Sequence, residues 1–293
     1  MPSSQRSEVI CRPIDDDDID AVVACLRRGF PERPRRYWRR ALERMSQRPA
    51  IEDYPRYGHA LIAEGKVVGV LLQIYSRRDA AAGAGIRCNL SSWCVDAEHR
   101  GHALMLHIHA VKRSEVTYLN ISAAAHTLKT IEALGFRRFS EGQIVSAPIL
   151  SSPRREVRVV AFGADGPEAA LLTQGERQIL AEHAALGCRA LVCVKDGQAY
   201  PFVFQPRTIL RRLVPCLELV YCREVGEFVR FANPIGRYLL FRGGPFCVVD
   251  AVERLPGLVG WFVSGRAPPK YFKGPAQPRL GDLAYTELVI LGR

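Results

Sequence analysis

"VDAEHRGHALML", residues 95–106, closes one apolar run and opens a helical pattern, with a single glycine in the turn between them. A short turn from a strand into a helix offers backbone N–H groups at the positive end of the helix dipole, the makings of an anion site. Gly101 lets the chain come close to a phosphate that a β-carbon would hold off. Arg100 adds a positive charge directly before it.

The flanks of this turn set its context. "RCNLSSWCV" (87–95) is the strand before it, and a helix runs on through Lys112. "EVTYLNISA" (115–123) is a strand, "AAHTLKTIEAL" (124–134) a helix, and "GFRRFSEGQIVSAPIL" (135–150) a turn into a strand. Upstream, "SEVICRPI" (7–14) is a short strand that leads into "DDDDIDAVVACLRRGF" (15–30), an amphipathic helix. Its opening aspartates complement the helix dipole and can cap free N–H groups. "RPRRYWRRALERMSQR" (33–48) is a second helix, and "GHALIAEGKVVGVLLQIYSRR" (58–78) alternates around "EGK" as a hairpin. "AAAGAG" (80–85) is a flexible connection. The predicted order is β-α-α-β-β-β-α-β-α-β.

This order, with this turn, resembles the GCN5-related N-acetyltransferase (GNAT) superfamily. The likeness spans residues 8–145 in element order and about twenty residues in motif detail. Family members carry (Arg/Gln)-x-x-Gly-x-(Gly/Ala) after the fourth strand, where N–H groups and the next helix hold the pyrophosphate of acetyl-CoA. "EHRGHAL" supplies Arg100, Gly101 and Ala103, and the family's "GF" after the fourth helix is Gly135-Phe136. The resemblance implies a CoA site formed by Cys94, Val95, Arg100, Gly101, His102 and Ala103, with acetyl-CoA or another acyl-CoA as co-substrate. It also implies an α+β fold whose central sheet is mixed, mostly antiparallel and flanked by helices.

The departures lie in the catalytic signature. Many members place a tyrosine four residues before "GF" to protonate the leaving thiolate; here Ile131 stands there. No glutamate occurs on "RCNLSSWCV", where some members keep a general base, and Met105 replaces a third glycine. Acyl transfer to an amine still needs a deprotonated nucleophile, a polarised carbonyl and a proton for the thiolate. His126, at the start of the helix after "YLNIS", is the candidate acid or base, with Tyr118 and Ser122 behind it. Cys94 reads as a packed residue rather than a nucleophile.

The second half repeats part of the first. "RALVCVKDGQAYPFVFQPRT", from Arg189, aligns with "HALIAEGKVVGVLLQIYSRR", from His59, about 130 residues earlier. Each copy is followed by strand, helix and strand: "LELVYC", "EVGEFVRFANPIGRYLLFRG" and "PFCVVDA" in the second. The expected domains are 1–150, a GNAT-like CoA-binding unit, and 151–293, a diverged GNAT-like unit with an acceptor-site or structural role. The polar stretch "SSPRRE" (151–156) marks the boundary. The second copy has no glycine-bearing turn, so CoA binding of the same kind is not expected there. "GRAPPKYFKGPAQPRLGDLAYTE" (265–287) is either an ordered loop or a connector to a last strand, "AYTELVIL". It offers Lys270, Tyr271, Lys273, Asp282, Tyr285 and Glu287 as polar contacts.

Composition narrows the partners. Net charge is +11 and comes from 35 arginines against 6 lysines, a field that favours anionic ligands such as phosphorylated cofactors. Nine arginines fall within residues 27–48. They form a solvated helix face, a nucleic-acid grip or the approach for an acidic substrate, and no nucleic-acid motif supports the second. The nine cysteines include no CxxC pair, and most lie in apolar runs such as "LVCV". That argues for packed thiols in a reducing cytoplasm rather than disulfides. His102, His107 and His109 do not share the i, i+4 face of a metal site, so no metal is expected. No apolar run reaches a membrane-spanning length and "MPSSQRSEVICRP" lacks a signal-peptide core, so a cytoplasmic protein acting on a small-molecule or peptide amine is expected. The competing expectation is a catalytically inactive GNAT-like binding or sensor protein.

Overall fold

Glu64-Gly65 and Asp196-Gly197 take nearly identical backbone angles, φ 51° and 74° in both pairs. Two consecutive positive φ values make a type I′ turn, whose twist matches that of the strands it joins. The two hairpins of the sequence repeat are therefore closed by the same device.

The computed structural model describes residues 8–78, 85–209, 214–265 and 269–292. Most of the "AAAGAG" connection lies outside them. The chain runs through β1 (Val9–Pro13), α1 (Ile19–Gly29), α2 (Arg35–Ser46), β2 (Gly58–Ala63), β3 (Lys66–Arg78), β4 (Gly85–Val95), α3 (Ala103–Ala110), β5 (Val116–Asn120), α4 (Leu128–Ala133) and β6 (Arg137–Ser140). This is the order expected from sequence. It continues with β7 (Gly142–Ser146), β8 (Arg158–Ala161), α5 (Gln174–Ala185), β9 (Arg189–Lys195), β10 (Gln198–Ile209), β11 (Val214–Tyr221), α6 (Val225–Leu240), β12 (Cys247–Ala251), β13 (Gly260–Ser264), β14 (Lys270–Lys273) and α7 (Glu287–Ile290).

Chain contacts divide the protein into two units: residues 1–120 with 273–276 and 285–293, and residues 121–272 with 277–284. Strands of the first run in the order β1-β2-β3-β4-β5, antiparallel except for the parallel pair β4–β5. Those of the second run β13-β7-β12-β11-β10-β9-β8, antiparallel except for β11–β12. Each unit is thus an α+β, mostly antiparallel mixed sheet with one parallel pair in the same relative place. The stretch 151–156 falls inside the second unit, because β7 hydrogen-bonds to β12 and β13 and draws the chain into the second sheet before residue 151 is reached.

Several elements differ from the sequence reading, which does not include β8, β13 or β14. "AYTELVIL" is a single helical turn, α7, and not a strand: Tyr285 turns the chain with φ 60° and Thr286 is an extended N-cap. Helix α5 was not foreseen, although its start is a capping box. The Thr173 hydroxyl accepts the Glu176 N–H at 3.2 Å, and the Glu176 carboxylate accepts the Thr173 N–H at 2.9 Å.

The core of the second unit forms where α6 lays Phe228, Phe231, Ile235 and Leu239, at helical spacing, against Phe202 and Phe204 of β10. Close approach continues at Gly236, where a Cβ would stand 2.2 Å from the backbone nitrogen of Ile149. Gly226, in the first turn of the same helix, has open space around it. Gly236→Ala is therefore expected to destabilise the protein by about 1–3 kcal/mol through overpacking, and Gly226→Ala by nothing measurable or to a slight gain. Urea denaturation of the two variants checks this, and equal midpoints would refute the packing argument.

Candidate functional site

The ladder between β4 and β5 pairs Ile86 with Val116 through Asn89 with Leu119 and stops there. β4 runs on to Val95, so beyond Asn89 the two strands part. On its other side β4 pairs Val70 with Cys94 and Leu72 with Ser91, which sets Ser92 and Trp93 opposite the single residue Leu71. This is a β-bulge, and Ser92 carries its strain with φ 56°. Beyond Asn89 the backbone of β4 lies outside the β4–β5 ladder, and N–H groups in such a position can receive charge developing on a carbonyl oxygen.

Asn89 spans the fork, its side-chain amide donating to the carbonyl oxygens of Leu90 (3.2 Å) and Leu119 (3.3 Å). Its Oδ1 accepts the Glu287 N–H at 2.6 Å, fixing the first residue of α7 over β4. The Ser91 hydroxyl donates to the Glu287 carboxylate, and it lies 3.1 Å from the Ser92 hydroxyl. A carboxylate is thus delivered to β4 from near the C-terminus, on a strand whose own sequence has none. One signal for this is legible in the sequence: Glu287 among the polar groups of the 265–287 stretch. Asn89, which anchors it, was not singled out.

After β4 the chain is pinned by Asp96, whose carboxylate accepts from both Arg28 Nε (3.0 Å) and Nη2 (2.7 Å) at the end of α1. Residues Ala97–His102 then wind as a 3-10 helix that leads directly into α3. The His99 N–H meets the Asp96 carbonyl at 2.9 Å and the Ala103 N–H meets that of Arg100, so such groups point back along the chain. Ala97 and Glu98, at its start, have no acceptor within the helix. Arg100, Gly101 and His102 are exposed, Ala103 is half-buried, and a Cβ on Gly101 would meet nothing within 4 Å.

Cys94 faces away from the fork, with its Sγ 4.0 Å from the Cys25 carbonyl of α1. Its Cβ lies 2.4 Å from where a Cβ on Gly29 would stand, so only glycine fits there. The Cys25 thiol and burial push the Cys94 thiol far above the usual range, which keeps it protonated. Val95 is half-buried, opposite Gly69. Tyr118 is buried; its hydroxyl accepts the Arg113 N–H at 3.2 Å, and burial raises its pKa. His126 and Ser122 are exposed residues of the second unit, His126 in a 3-10 turn before α4. Tyr271 and Lys270 also belong to the second unit. The Tyr271 hydroxyl donates to Glu132 at 2.8 Å, while Lys270 is buried against Asp250.

In the second unit the equivalent fork is filled. The β11–β12 ladder ends at Glu218 with Val248. Beyond it, the Leu283 N–H donates to the Val220 carbonyl at 2.7 Å and the Cys222 N–H to that of Gly281 at 2.8 Å. Helix α6 opens with Glu224 as N-cap and Glu227 in its first turn, carboxylates where an anion would have to sit.

No protein-family profile matches the chain, and no curated protein matches it. Solved structures do. A GCN5-related N-acetyltransferase from Anabaena variabilis is 10% identical, with a TM-score of 0.59 over 91% of this chain and 72% of its own. The GCN5-related glucosamine N-acetyltransferase region of a fungal multi-domain GH3 β-N-acetylglucosaminidase is 14% identical, with a TM-score of 0.56 over 92% of this chain and 38% of that one. A GCN5-related N-acetyltransferase from Kribbella flavida is 13% identical, with a TM-score of 0.54 over 92% and 72%. The chain therefore has the fold of the GCN5-related N-acetyltransferases, in two units. Among the described residues no helix is long and apolar enough to cross a membrane, and no group of three His, Cys, Asp or Glu side chains is placed to hold a metal ion.

His107 of α3 is fully buried against Trp93 of the bulge, ring centroids 5.1 Å apart. Burial, with Lys273 nearby, pushes its pKa down to about 4 from an ordinary 6.5. As pH falls, the unfolded chain protonates at this residue first. The stability contributed by neutral His107 is therefore complete above pH ~6.5 and is lost towards pH 4, on the order of 2–3 kcal/mol by pH 4.5. Urea midpoints at pH 7 and 4.5 should differ less in His107→Phe than in the wild type; an equal pH dependence would rule out this assignment.

Proposed function

We propose that the first unit is an acyl-CoA-dependent N-acyltransferase, in its simplest form an N-acetyltransferase, that moves an acyl group from a CoA thioester to an amine. The observation that carries this reading is the Glu287 carboxylate held on Ser91 at the fork of β4 and β5. There a carboxylate stands beside the stretch of β4 that lies outside the β4–β5 ladder. Glu287 takes the proton of the acceptor ammonium, and the freed amine attacks the thioester carbonyl carbon. N–H groups of β4 around Ser92 and Trp93 receive the charge that grows on the carbonyl oxygen. The tetrahedral adduct collapses to the amide with cleavage of the C–S bond, and the thiolate takes the proton that the attacking nitrogen sheds.

The turn at 97–102 supports a pyrophosphate site in composition, with Arg100 and His102 exposed and Gly101 left open by the fold. Nothing in the protein's own packing requires glycine at 101, which fits a position kept small for a ligand. Its 3-10 winding favours the second reading, a binding protein without catalysis, because N–H groups are turned onto carbonyls of the turn itself.

The two readings separate cleanly in one set of assays. Glu287→Gln is expected to lower kcat/KM by about 10²–10⁴-fold for acetyl transfer while the calorimetric affinity for acetyl-CoA stays within about twofold. Gly101→Pro should abolish that binding. Acetyl-CoA binding with no transfer to any amine, unchanged by Glu287→Gln, would establish the non-catalytic reading instead.

A further inference from the structure

Helix α2 presents two basic flanks that differ in what they meet. Its buried face is Trp38, Ala41, Leu42 and Met45. On one side of that face Arg35 and Arg39 both pair with Asp20 of α1, the former at 2.7 Å. At 3.6 residues per turn, Tyr37, Arg40 and Arg44 fall in one stripe on the other side. Arg33 joins them by stacking on Tyr37, 4.6 Å from its ring centroid, and Arg48 follows just past the helix end.

This second stripe runs along the segment that holds Glu287. The Tyr37 hydroxyl donates to the Gly292 carbonyl at 3.1 Å. Arg44 Nη1 lies 2.8 Å from where a Cβ on Gly292 would stand, and the Arg48 guanidinium is 5.4 Å from the Tyr285 ring centroid. Among the described residues, neither Arg33 nor Arg40 is paired with a carboxylate, unlike the two arginines facing Asp20. The result is a row of guanidinium groups beside a segment that carries one carboxylate to β4.

We infer that the acceptor is an amine that carries its own negative charge, a carboxylate or a phosphate, and that Arg33 and Arg40 bind this anion while Glu287 receives the ammonium. A neutral amine gives the arginines nothing to bind, and a polycationic one is repelled by them. Guanidinium groups suit carboxylate and phosphate alike, through paired N–H donors. This inference rests on the acyltransferase reading of the same site and adds the substrate class.

The test measures CoA thiol release from acetyl-CoA with matched alkylamines ending in a carboxylate, a phosphate, a hydroxyl or a second ammonium, and with short peptides of acidic or basic sequence. The anionic amines should be preferred over the hydroxyl amine by about tenfold or more in kcat/KM, through KM, and the peptide arm tells a peptide source from a small molecule. Arg33→Ser/Arg40→Ser should collapse that ratio while Arg36→Ser, on the outer face of α2, leaves it intact. Raising ionic strength from about 0.05 to 0.3 M should shrink the preference in the unmodified protein, a readout that needs no variant to fold. Transfer to neutral and anionic amines alike, or a preference that survives loss of both arginines, overturns the substrate class and leaves the acyltransferase reading standing. No transfer to any amine overturns both. Tight, salt-sensitive binding of an oligonucleotide that displaces the anionic amine would assign the stripe to nucleic acid instead, and overturn the inference in that way.

Discussion

The early end of the β4–β5 ladder is the constraint on which the rest of the first unit depends. Parallel strands normally continue to exchange hydrogen bonds as far as both run, and β4 outlasts its last pairing with β5 by six residues, Leu90–Val95. Those residues must place their backbone polar groups elsewhere. Some go to β3 through the bulged register, and the Asn89 side chain ties the strands together where they part. What remains is a wedge with polar backbone on one wall, into which the N-terminus of α7 brings a carboxylate. The Asp96–Arg28 pair holds the exit of β4 against α1 and so fixes where the turn at 97–102 begins.

The second unit shows what happens when the same fork is put to structural use. Its ladder ends at the matching place, yet residues 281–283 occupy the opening as an added extended segment. Gly281 is required there: its φ is 78° and a Cβ would stand 2.5 Å from Cys222 Sγ. Carboxylates replace cations at the start of α6, and burial, together with nearby carboxylates, raises the pKa of Glu227. An anion that would be drawn to Arg100 and His102 in the first unit would be repelled in the second. The hairpins and their type I′ turns are alike in the two copies, while the forks are filled differently.

Much of this was legible in the sequence for definite reasons. The order of elements follows from hydrophobic period and from turn residues, both local properties, and the aligned hairpins exposed the duplication. Helix α5 was missed although Thr173 and Glu176 signal a helix start, because a polar first turn hides the pattern that follows it. α7 reads as a strand in the sequence because "LVI" is apolar and largely β-branched, and nothing in four residues reveals that Tyr285 enters the left-handed region. The candidate base was hardest to see. Ser91 and Glu287 are 196 residues apart, and only tertiary structure shows that they meet.

A buried ionic network in the second unit holds its strands in register. Glu218, at the end of the parallel ladder, lies 3.3 Å from Arg207 and 3.9 Å from Lys270. Lys270 pairs with Asp250, and Gln143 donates to both carboxylates, at 3.2 and 3.0 Å. These groups come from β7, β10, β11, β12 and β14, so shifting any one strand by a residue would strand a charge out of reach of its partner. Burying charges in this way gains little net stability, since desolvation offsets most of the attraction. Its effect is selective: misregistered sheets are penalised far more than the native one is favoured. The first unit fixes its fork with a neutral amide, Asn89, and with the Glu287 carboxylate held on Ser91. The residue at the ladder end thus divides the two copies, a charge locked into a network in one and an uncharged bracket for the start of α7 in the other.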